Sequence, residues 1–467
     1  MVFSSIPFLY YFLPAVLLVY FLVPKKAKNA VLLLASLFFY GYGEPRFLLL
    51  MGLFIALGYG SAVLMEQCRE RRSRKCVLVL SVLLSLGMLA WFKYAGFFAD
   101  SIRKVTGLPV PVLHIALPVG ISFYTFQILS YVLDVYWERF PAEKNLLRFA
   151  CYISMFPQLI AGPIVRFPEV SAQLRERETD PEQIYGGIRR FLAGLGKKVL
   201  LADQLYRLCE IFQQTEEKSL LFYWMYAAAF ALYVYYDFSG YSDMAIGLGR
   251  ILGFSFPENF RYPFVSRSAA EFWRRWHMTL GGWFRDYVYI PLGGSRNGKG
   301  KWLRNLLIVW ILTGLWHGAA WNFVLWGLFF AGLIAAEKLW YGKYLEKIPA
   351  AAAWIYPFFF VTVSFVIFRG PSVSDVFRDV GCLFGAGGLP AATGPSVYYL
   401  RSFGGILILG LTGCTPAVKI LYKKIRDRRG MGRILGAAEP VLLIAVLLLC
   451  TAYLVDGSFH PFLYFRF

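Results

Sequence analysis

The chain has 467 residues; 58% are hydrophobic and only 16% are charged, whereas about a quarter of an ordinary globular domain is charged. This composition excludes a disordered chain and argues against a soluble enzyme, and the long apolar blocks indicate a polytopic membrane protein. Lys and Arg total 48 against 28 Asp and Glu, a formal net charge of +20. Because basic loops orient membrane helices, this excess predicts topology and argues against nucleic acid as a partner.

The first predicted span lies close to the N-terminus. Residues 6–23 are apolar, with no basic segment before them and no small-residue cleavage site after them, which predicts a retained helix and not a cleaved signal. Lys25, Lys26 and Lys28 follow this span and predict that the N-terminus lies outside.

The fold class that the sequence predicts is an all-α polytopic membrane protein with about 11–12 transmembrane helices plus re-entrant and interfacial helices, since a helix of about 20 residues crosses the hydrocarbon layer. The candidate spans are 6–23, 30–42, 47–65, 77–98, 112–137, 186–203, 219–237, 302–317, 319–337, 354–369, 403–421 and 440–455.

Charged loops predict the topology of these spans. The basic tracts 69–75, 296–304 and 423–433 are expected to face the cytoplasm, although such clusters also suit anionic lipid or a charged cofactor. Both flanks of the apolar stretch 146–164 have cytoplasmic character. This stretch is therefore predicted to enter the membrane and return, turning at 156–163, around a cavity.

Seven cysteines are scattered along the chain without a CxxC pair. This spacing argues against a disulfide framework or a zinc site. The cysteines are interpreted as small buried apolar residues.

The polar block 254–300 differs from the rest of the chain, because aromatic and basic residues alternate closely in it. It holds His277 and Asp286 together with Trp273, Trp276, Trp283, Arg274, Arg275 and Arg285. An amphipathic helix at the membrane interface explains this composition. The alternative is a cytoplasmic mouth in which Arg binds phosphates and Trp stacks on an adenine.

A second histidine, His317, lies inside an apolar span, in the sequence ILTGLWHGAAWN. An ionisable residue within a span is costly and by default marks a function, while Gly314 and Gly318 allow a backbone or a substrate to come close. The alternative is a hydrogen bond across a helix pair. Placement at the membrane interface is enough to explain His114, and His460 belongs to the C-terminal tail.

Asp237 and Asp243 are placed at the end of the predicted span 219–237, where their spacing suits either contacts with His277 or Arg residues or simple helix capping. The sequence contains no P-loop, no GxSxG elbow and no GxGxxG after a strand, and no zinc spacing links the two central histidines.

The stretches WRRWHMTLGGWFRDYVYIPLGGSR (273–296) and LWHGAAWNFVLWG (315–327) resemble the membrane-bound O-acyltransferase family. The resemblance is to its alginate O-acetyltransferase membrane-subunit type, which is related to the acyltransferases of teichoic-acid D-alanylation and peptidoglycan O-acetylation. Residues 3–14, 156–164, 236–247 and 460–467 match as well, so the resemblance covers nearly the whole chain. One departure is His460, where the family pattern has Asn.

The resemblance implies one O-acyltransferase domain over residues 1–467, a helical bundle around a central funnel, in the cytoplasmic membrane of a bacterium. It implies His317 as the main catalytic residue and His277 as a second one. It also implies acetyl-CoA or another acyl thioester as cytoplasmic co-substrate, with no bound cofactor and no metal. The acyl group would pass to an extracytoplasmic partner protein and then to a polysaccharide or cell-wall polymer.

The chemistry agrees, because a thioester is already activated and lacks only a base for the attacking hydroxyl, which a neutral buried imidazole supplies. Our hypothesis is that His317 takes the proton while His277 orients donor or acceptor, or acts as its electrostatic partner. Arg274, Arg275, Arg285 and Lys299 are candidates to hold donor phosphates. The further binding candidates are Trp276, Asp286, Asp237, Trp316 and Asn322.

Two other classes of function stay open at this point. Broken spans with midplane ionisable groups also suit a transporter or flippase. A scaffold for export machinery is the other hypothesis, and it predicts that replacing His317 leaves the function unchanged.

Overall fold

A computed structural model describes residues 1–109, 111–113, 115–296, 298–428, 430–457 and 462. The described residues form helices and connecting loops, with no β-strand among them, which confirms the all-α prediction. His114 and His460 lie outside the described residues, as does most of the C-terminal motif, so what the sequence predicts for them stays a prediction.

The chain divides into two compact units that alternate along the sequence. The first comprises Met1–Phe191 and Met244–Pro257, and the second comprises Leu192–Asp243 and Glu258–Phe467. Helices Pro181–Gly196 and Leu220–Ile251 each contribute residues to both units.

The first unit contains nine α-helices in its described residues, the last of which runs on into the second unit. They are α1 (Leu13–Leu22), α2 (Lys28–Gly43), α3 (Leu48–Gln67), α4 (Arg71–Thr106), α5 (Ile121–Tyr136), α6 (Leu146–Ser154), α7 (Phe156–Leu159), α8 (Phe167–Arg175) and α9 (Pro181–Gly196). The end of the helix Leu220–Ile251 completes this unit, where the Tyr20 hydroxyl donates a hydrogen bond to the Leu252 carbonyl at 2.6 Å.

The second unit carries the remaining helices of the described chain. They are α10 (Asp203–Gln214), α11 (Leu220–Ile251), α12 (Ala269–Trp273), α13 (Met278–Phe284), α14 (Lys299–His317), α15 (Trp321–Ala336), α16 (Gly342–Leu345), α17 (Ala350–Ala353), α18 (Ile355–Arg369), α19 (Val373–Leu383), α20 (Gly394–Gly413), α21 (Ala417–Arg426) and α22 (Met431–Val455).

Four helices in the described part of the chain are long and apolar enough to cross a membrane: Pro45–Gln67, Arg71–Thr106, Trp321–Leu345 and Met431–Val455. A fifth is added if α20 and α21, which meet at 73°, count as one broken span. The polytopic membrane architecture is thereby confirmed. The other predicted spans coincide with segments that are shorter or less apolar, so length and composition alone do not identify them as spans.

Several predicted boundaries differ from the observed ones for local reasons. The segment predicted at 112–137 becomes helical only at Ile121, because Pro118 and the left-handed Gly120 (φ +77°) interrupt the backbone before it. The segment predicted at 403–421 bends before Ala417, next to Pro416. The stretch 146–164 contains the short helices α6 and α7, separated at Met155 and buried from Phe149 onward.

Helices α14 and α15 form a tightly packed hairpin that carries His317 at its turn. A Cβ atom added to Gly314 would lie 2.2 Å from the Phe323 carbonyl oxygen, and one added to Gly327 would lie 2.3 Å from the Trp310 carbonyl oxygen. Real Cβ atoms do not approach a backbone atom so closely, so only glycine allows this separation of the two helices. The close backbone approach that the sequence predicts at Gly314 is confirmed.

A buried group of charges, which we call the Lys198 cluster, links α11 to the π turn Lys197–Ala202 and the start of α10. The Lys198 ammonium lies 2.7 Å from a carboxylate oxygen of Asp203 and 2.7 Å from one of Asp237, and all three side chains are almost fully buried. Opposite charges this close satisfy each other where water is excluded.

The cluster corrects the expected placement of the two aspartates. Helix α11 does not end near them but continues to Ile251, so neither residue caps a span. Asp237 pairs with Lys198, and Asp243 pairs with Lys197 at 2.6 Å. Both aspartates thus form ion pairs with lysines inside the helical bundle.

The cysteines follow the predicted pattern only in part. All seven are free thiols, and Cys151, Cys209, Cys414 and Cys450 are buried. Cys76 is exposed, and the remaining two are half-buried, so burial is not common to the whole set.

Candidate active site

The second unit brings the two central histidines together around one tryptophan. The Trp316 ring centroid lies 5.7 Å from that of His277 and 4.9 Å from that of its neighbour His317. Both histidines are buried, with exposed fractions of 1% and 8%. They are forty residues apart in the sequence, and the fold places them in one aromatic pocket.

Aromatic rings enclose His317 on its other sides. The Trp326 ring centroid lies 5.0 Å away and that of Phe368 lies 5.2 Å away, both in edge contacts. Asn322, the first polar residue after the turn, donates a hydrogen bond from Nδ2 to the Phe368 carbonyl at 2.7 Å and so ties α15 to α18. The surroundings of this imidazole are therefore apolar and well packed.

The backbone of His277 adopts a conformation that is rare for any residue other than glycine, with φ +44° and ψ +52°. Such a left-handed conformation costs about 1–2 kcal/mol for a residue with a side chain. Strained residues of this kind persist where the surrounding structure imposes them, and they concentrate at functional sites. This observation supports a functional role for His277 over a purely interfacial one.

The imidazole of His277 has one polar contact and one open nitrogen. Its Nδ1 lies 3.1 Å from the Asn259 side-chain oxygen, and its Nε2 is buried without a hydrogen-bond partner among the described residues. The Phe238 ring packs edge-on at 4.6 Å. Burial, and secondarily the charge of nearby His317, lower the pKa of His277 well below its ordinary value, which favours the neutral imidazole.

His277 lies on the wall of a cavity of about 500 Å³ within the second unit. Trp273, Trp310 and Thr313 line this cavity, and so do Arg274, Arg285 and Tyr289. His317 is not among the residues that line it. The cavity therefore combines an imidazole with apolar rings and two guanidinium groups.

A second, more polar cavity of about 430 Å³ adjoins the first and shares Ala270 and Arg274 with it. Arg267 and Lys338 bring positive charge to its wall, and Glu271, Glu337 and Glu346 bring negative charge. Glu337 accepts hydrogen bonds from the backbone N–H groups of Ala269 and Ala270 at 2.6 and 3.1 Å, so its carboxylate holds helix α12 in place.

Three further candidates from the sequence also lie at or near the first cavity. Arg274 is exposed and lines both cavities. Arg285 is exposed and pairs with the adjacent Asp286 at 2.7 Å. A guanidinium that lines a cavity while solvated remains able to exchange its contacts for a ligand phosphate.

The other candidates have structural partners instead. Arg275 pairs with Glu271 at 2.8 Å, and Trp276 is buried between Phe260 and Phe272. The remaining two lie on neither cavity: Asp237 belongs to the Lys198 cluster, and Lys299 begins α14 at an exposed position.

Asn259 is the site residue that the sequence did not reveal. It lies in the stretch FPENFRYP and is fully buried beside His277. A loop lacks the helical repeat from which buried positions are predicted, so the sequence does not show that this polar residue is buried. In the described residues, no group of three or more His, Cys, Asp and Glu side chains is placed to hold a metal ion.

Comparison with known proteins identifies one family and a set of relatives whose names describe acyl transfer. The profile of the membrane-bound O-acyltransferase family matches residues 138–374, a range that contains both central histidines and the two cavities. The chain is 40% identical over 400 residues to a probable alginate O-acetylase AlgI of Azotobacter vinelandii, covering 83% of this chain and 79% of the relative.

The names of more distant relatives refer to other polymers. A peptidoglycan O-acetyltransferase of Helicobacter pylori is 31% identical over 425 residues, covering 83% of this chain and 81% of the relative. A teichoic acid D-alanyltransferase of Bacillus subtilis is 31% identical over 273 residues, covering 54% and 68%.

Proposed function

Because the chain belongs to the membrane-bound O-acyltransferase family and is an O-acyltransferase, we propose that it moves an acyl group, with acetyl as first candidate, from a cytoplasmic thioester across the membrane. The recipient is an extracytoplasmic acceptor or partner protein, and the final product is an O-acylated polysaccharide or cell-wall polymer. The names of the relatives, which include alginate and peptidoglycan O-acetylation, support this class of acceptor. The enzyme lies in the cytoplasmic membrane of a bacterium.

The observation that carries this proposal is the pair of buried histidines beside a cavity with cationic residues on its wall. In the proposed reaction, His317 accepts the proton of the acceptor hydroxyl while its oxygen attacks the thioester carbonyl carbon. The tetrahedral intermediate collapses by breaking the carbon–sulfur bond. The leaving thiolate takes the proton back from the imidazolium, so that the products are an ester and a free thiol.

His277 supports this reaction from the cavity wall. A neutral imidazole orients the donor or the acceptor through Nε2, which has no hydrogen-bond partner among the described residues. The rings of Trp273 and Trp310 line the same cavity, and apolar walls keep water away from the thioester and strengthen polar contacts inside. General base assistance of this kind contributes about 10²–10⁴-fold to the rate.

Arg274 and Arg285 are the residues proposed to hold the phosphates of the donor. Both are exposed and line the cavity that holds His277. The fork geometry of guanidinium suits phosphate oxygens. Acetyl-CoA or another acyl thioester is the proposed co-substrate, and it is consumed in the reaction.

Release of free thiol from acetyl-CoA by the purified protein in detergent tests the proposal directly. We expect turnover in the native protein and its loss in His317→Ala, with folding of the variant verified by thermal melting. His114→Ala serves as the matched control, since the sequence predicts no chemical role for that histidine, and it should retain turnover.

Two outcomes contradict parts of this proposal. Equal turnover in His317→Ala and the native protein removes His317 from the mechanism and assigns the base to His277. Absence of thiol release with acetyl-CoA and with a carrier-protein thioester, each tested with a candidate acceptor partner present, contradicts thioester chemistry. A transporter releases no thiol under any of these conditions.

A further inference from the structure

The side-chain amide of Asn259 has a defined orientation. Its Nδ2 donates a hydrogen bond to the Ser242 hydroxyl at 3.1 Å, and its Oδ1 accepts from the Thr279 hydroxyl at 2.9 Å and from the Thr279 backbone N–H at 3.4 Å. A backbone N–H can only donate, so the amide atom that faces it is the oxygen. The same oxygen lies 3.1 Å from Nδ1 of His277.

This orientation fixes the tautomer of the histidine. A neutral imidazole carries one proton, and the nitrogen that faces a pure acceptor is the one that must carry it. Nδ1 of His277 therefore donates to Asn259, and Nε2 keeps its lone pair. Nε2 is buried and has no hydrogen-bond partner among the described residues, while its residue lines the cavity of about 500 Å³.

Asn259 also holds the strained backbone of His277. The Asn259 carbonyl accepts a hydrogen bond from the backbone N–H of Met278 at 2.9 Å, directly after the left-handed residue. Asn259 is fully buried, so water does not compete for either contact. One residue thus restrains both the backbone and the ring of His277.

We propose that Asn259 is a positioning residue that keeps His277 in its Nδ1–H tautomer, so that Nε2 accepts a hydrogen bond from a hydroxyl group of a bound substrate. The tautomer itself follows from the contacts described above. The part that concerns substrate rests on the proposed acyltransfer, and the two parts are tested separately.

The first test observes the tautomer in the full-length protein without substrate. The protein is labelled with ¹⁵N-histidine, and its ring nitrogen signals are recorded in lipid nanodiscs at pH 8. His277 is assigned as the signal that disappears in His277→Gln. We expect a protonated Nδ1 and an unprotonated Nε2; the opposite pattern, or a mixture of the two tautomers, overturns the proposal.

The second test compares two replacements of Asn259 by thiol release. Asn259→Leu keeps the branched shape but removes the acceptor, and it should lower kcat by about 10- to 100-fold, the loss typical when a residue that orients a metal-bound histidine is removed. Asn259→Asp retains the acceptor and should keep most of kcat. Because a carboxylate stabilises the imidazolium, it should also move the acid limb of the pH profile to higher pH.

Ser242→Ala is the matched control. It removes the hydrogen bond to Nδ2 of Asn259 and leaves the contact between Oδ1 and His277 intact. We expect a loss of kcat several-fold smaller than that of Asn259→Leu. Equal losses in the two variants, with no shift of the acid limb in Asn259→Asp, would mean that Asn259 acts only in packing, and the positioning role would be abandoned.

Failure of the two proposals can be told apart. A protonated Nδ1 in a protein that releases no thiol leaves the tautomer intact and contradicts the proposed reaction. An unprotonated Nδ1 in a protein that releases thiol contradicts the positioning role and leaves the proposed reaction standing.

Discussion

His277 shows how burial prepares a single side chain for chemistry near neutral pH. Its pKa lies well below the ordinary value of 6.5 because the ring is buried and His317 is close. A group with a lowered pKa stays neutral until the pH falls below that lowered value, so His277 should remain neutral throughout the range from pH 8 to 6.5. Nε2 is then available as an acceptor over this whole range.

Titration of the His277 ring signals in the ¹⁵N-labelled protein checks this expectation. We expect no change of protonation between pH 8 and 6.5, and His277→Gln again identifies the signal. A midpoint at or above pH 6.5 would show that the ring is accessible to water and would contradict the proposed dry site.

Arg274 is the residue for which the geometry gives the clearest prediction about donor affinity. It is exposed and lies on the walls of both cavities. Arg274→Gln should raise KM for acetyl-CoA more than it lowers kcat, because a phosphate contact is made equally in the ground state and the transition state. Arg378→Gln, which removes an exposed guanidinium paired with Asp375 and Asp379, is the control. An unchanged KM in Arg274→Gln argues against phosphate binding there.

At the scale of residues, the sequence predicts the titratable site residues better than the uncharged residues that hold them in place. The two central histidines stand out because ionisable residues are rare in apolar surroundings, and the structure brings them together at Trp316. Asn259 was missed, since an uncharged polar residue carries no such signal. The pairing of Asp237 with Lys198 was not predicted, because sequence spacing does not show which helix packs against which.

At the scale of helices, the α14–α15 hairpin should be the most sensitive element, since glycines set its separation. Gly314→Ala forces a Cβ against the Phe323 carbonyl, and the helices must move apart at the turn that carries His317. We expect a lower melting temperature and loss of thiol release. Gly332→Ala on the same hairpin meets no atom within 4 Å and should be neutral or stabilising, by up to about 1 kcal/mol from helix propensity.

Thermal melting and thiol release of these two variants, measured side by side, check the expectation. If Gly314→Ala melts and reacts like Gly332→Ala, the hairpin can relax without moving His317, and close packing is not what positions this residue.

At the scale of helices, the bounds of a helix were predictable where an apolar run contains no Pro or Gly that interrupts the helical backbone. The prediction 30–42 corresponds to α2, which spans Lys28–Gly43. It was poor where Pro or Gly interrupts an apolar run, as at Gly120 before α5 and Pro416 before α21. The end of α11 was also predicted too early, because Asp237 and Asp243 interrupt the apolar run although both lie within the helix, paired with lysines.

At the scale of the whole molecule, the three basic tracts are predicted to face the cytoplasm, and the proposed donor is used from that side. In sealed inverted membrane vesicles, which expose the cytoplasmic face, externally added acetyl-CoA should release thiol. Sealed right-side-out vesicles should not react until detergent opens them, because acetyl-CoA is charged and does not cross the bilayer. Equal rates in the two intact preparations contradict a cytoplasmic donor site.

The Lys198 cluster has a consequence for how the chain is made. The ribosome delivers Lys198 and Asp203 to the translocon well before Asp237 is synthesised, and each isolated charge at the centre of a span costs about 2.5–3.5 kcal/mol. The pair of 2.7 Å between Lys198 and Asp203 can form before α11 is made, whereas the pair of 2.7 Å between Lys198 and Asp237 exists only once α11 is present. Residues from α9 through α11 are therefore expected to leave the translocon together, as a preassembled hairpin, and not one helix at a time.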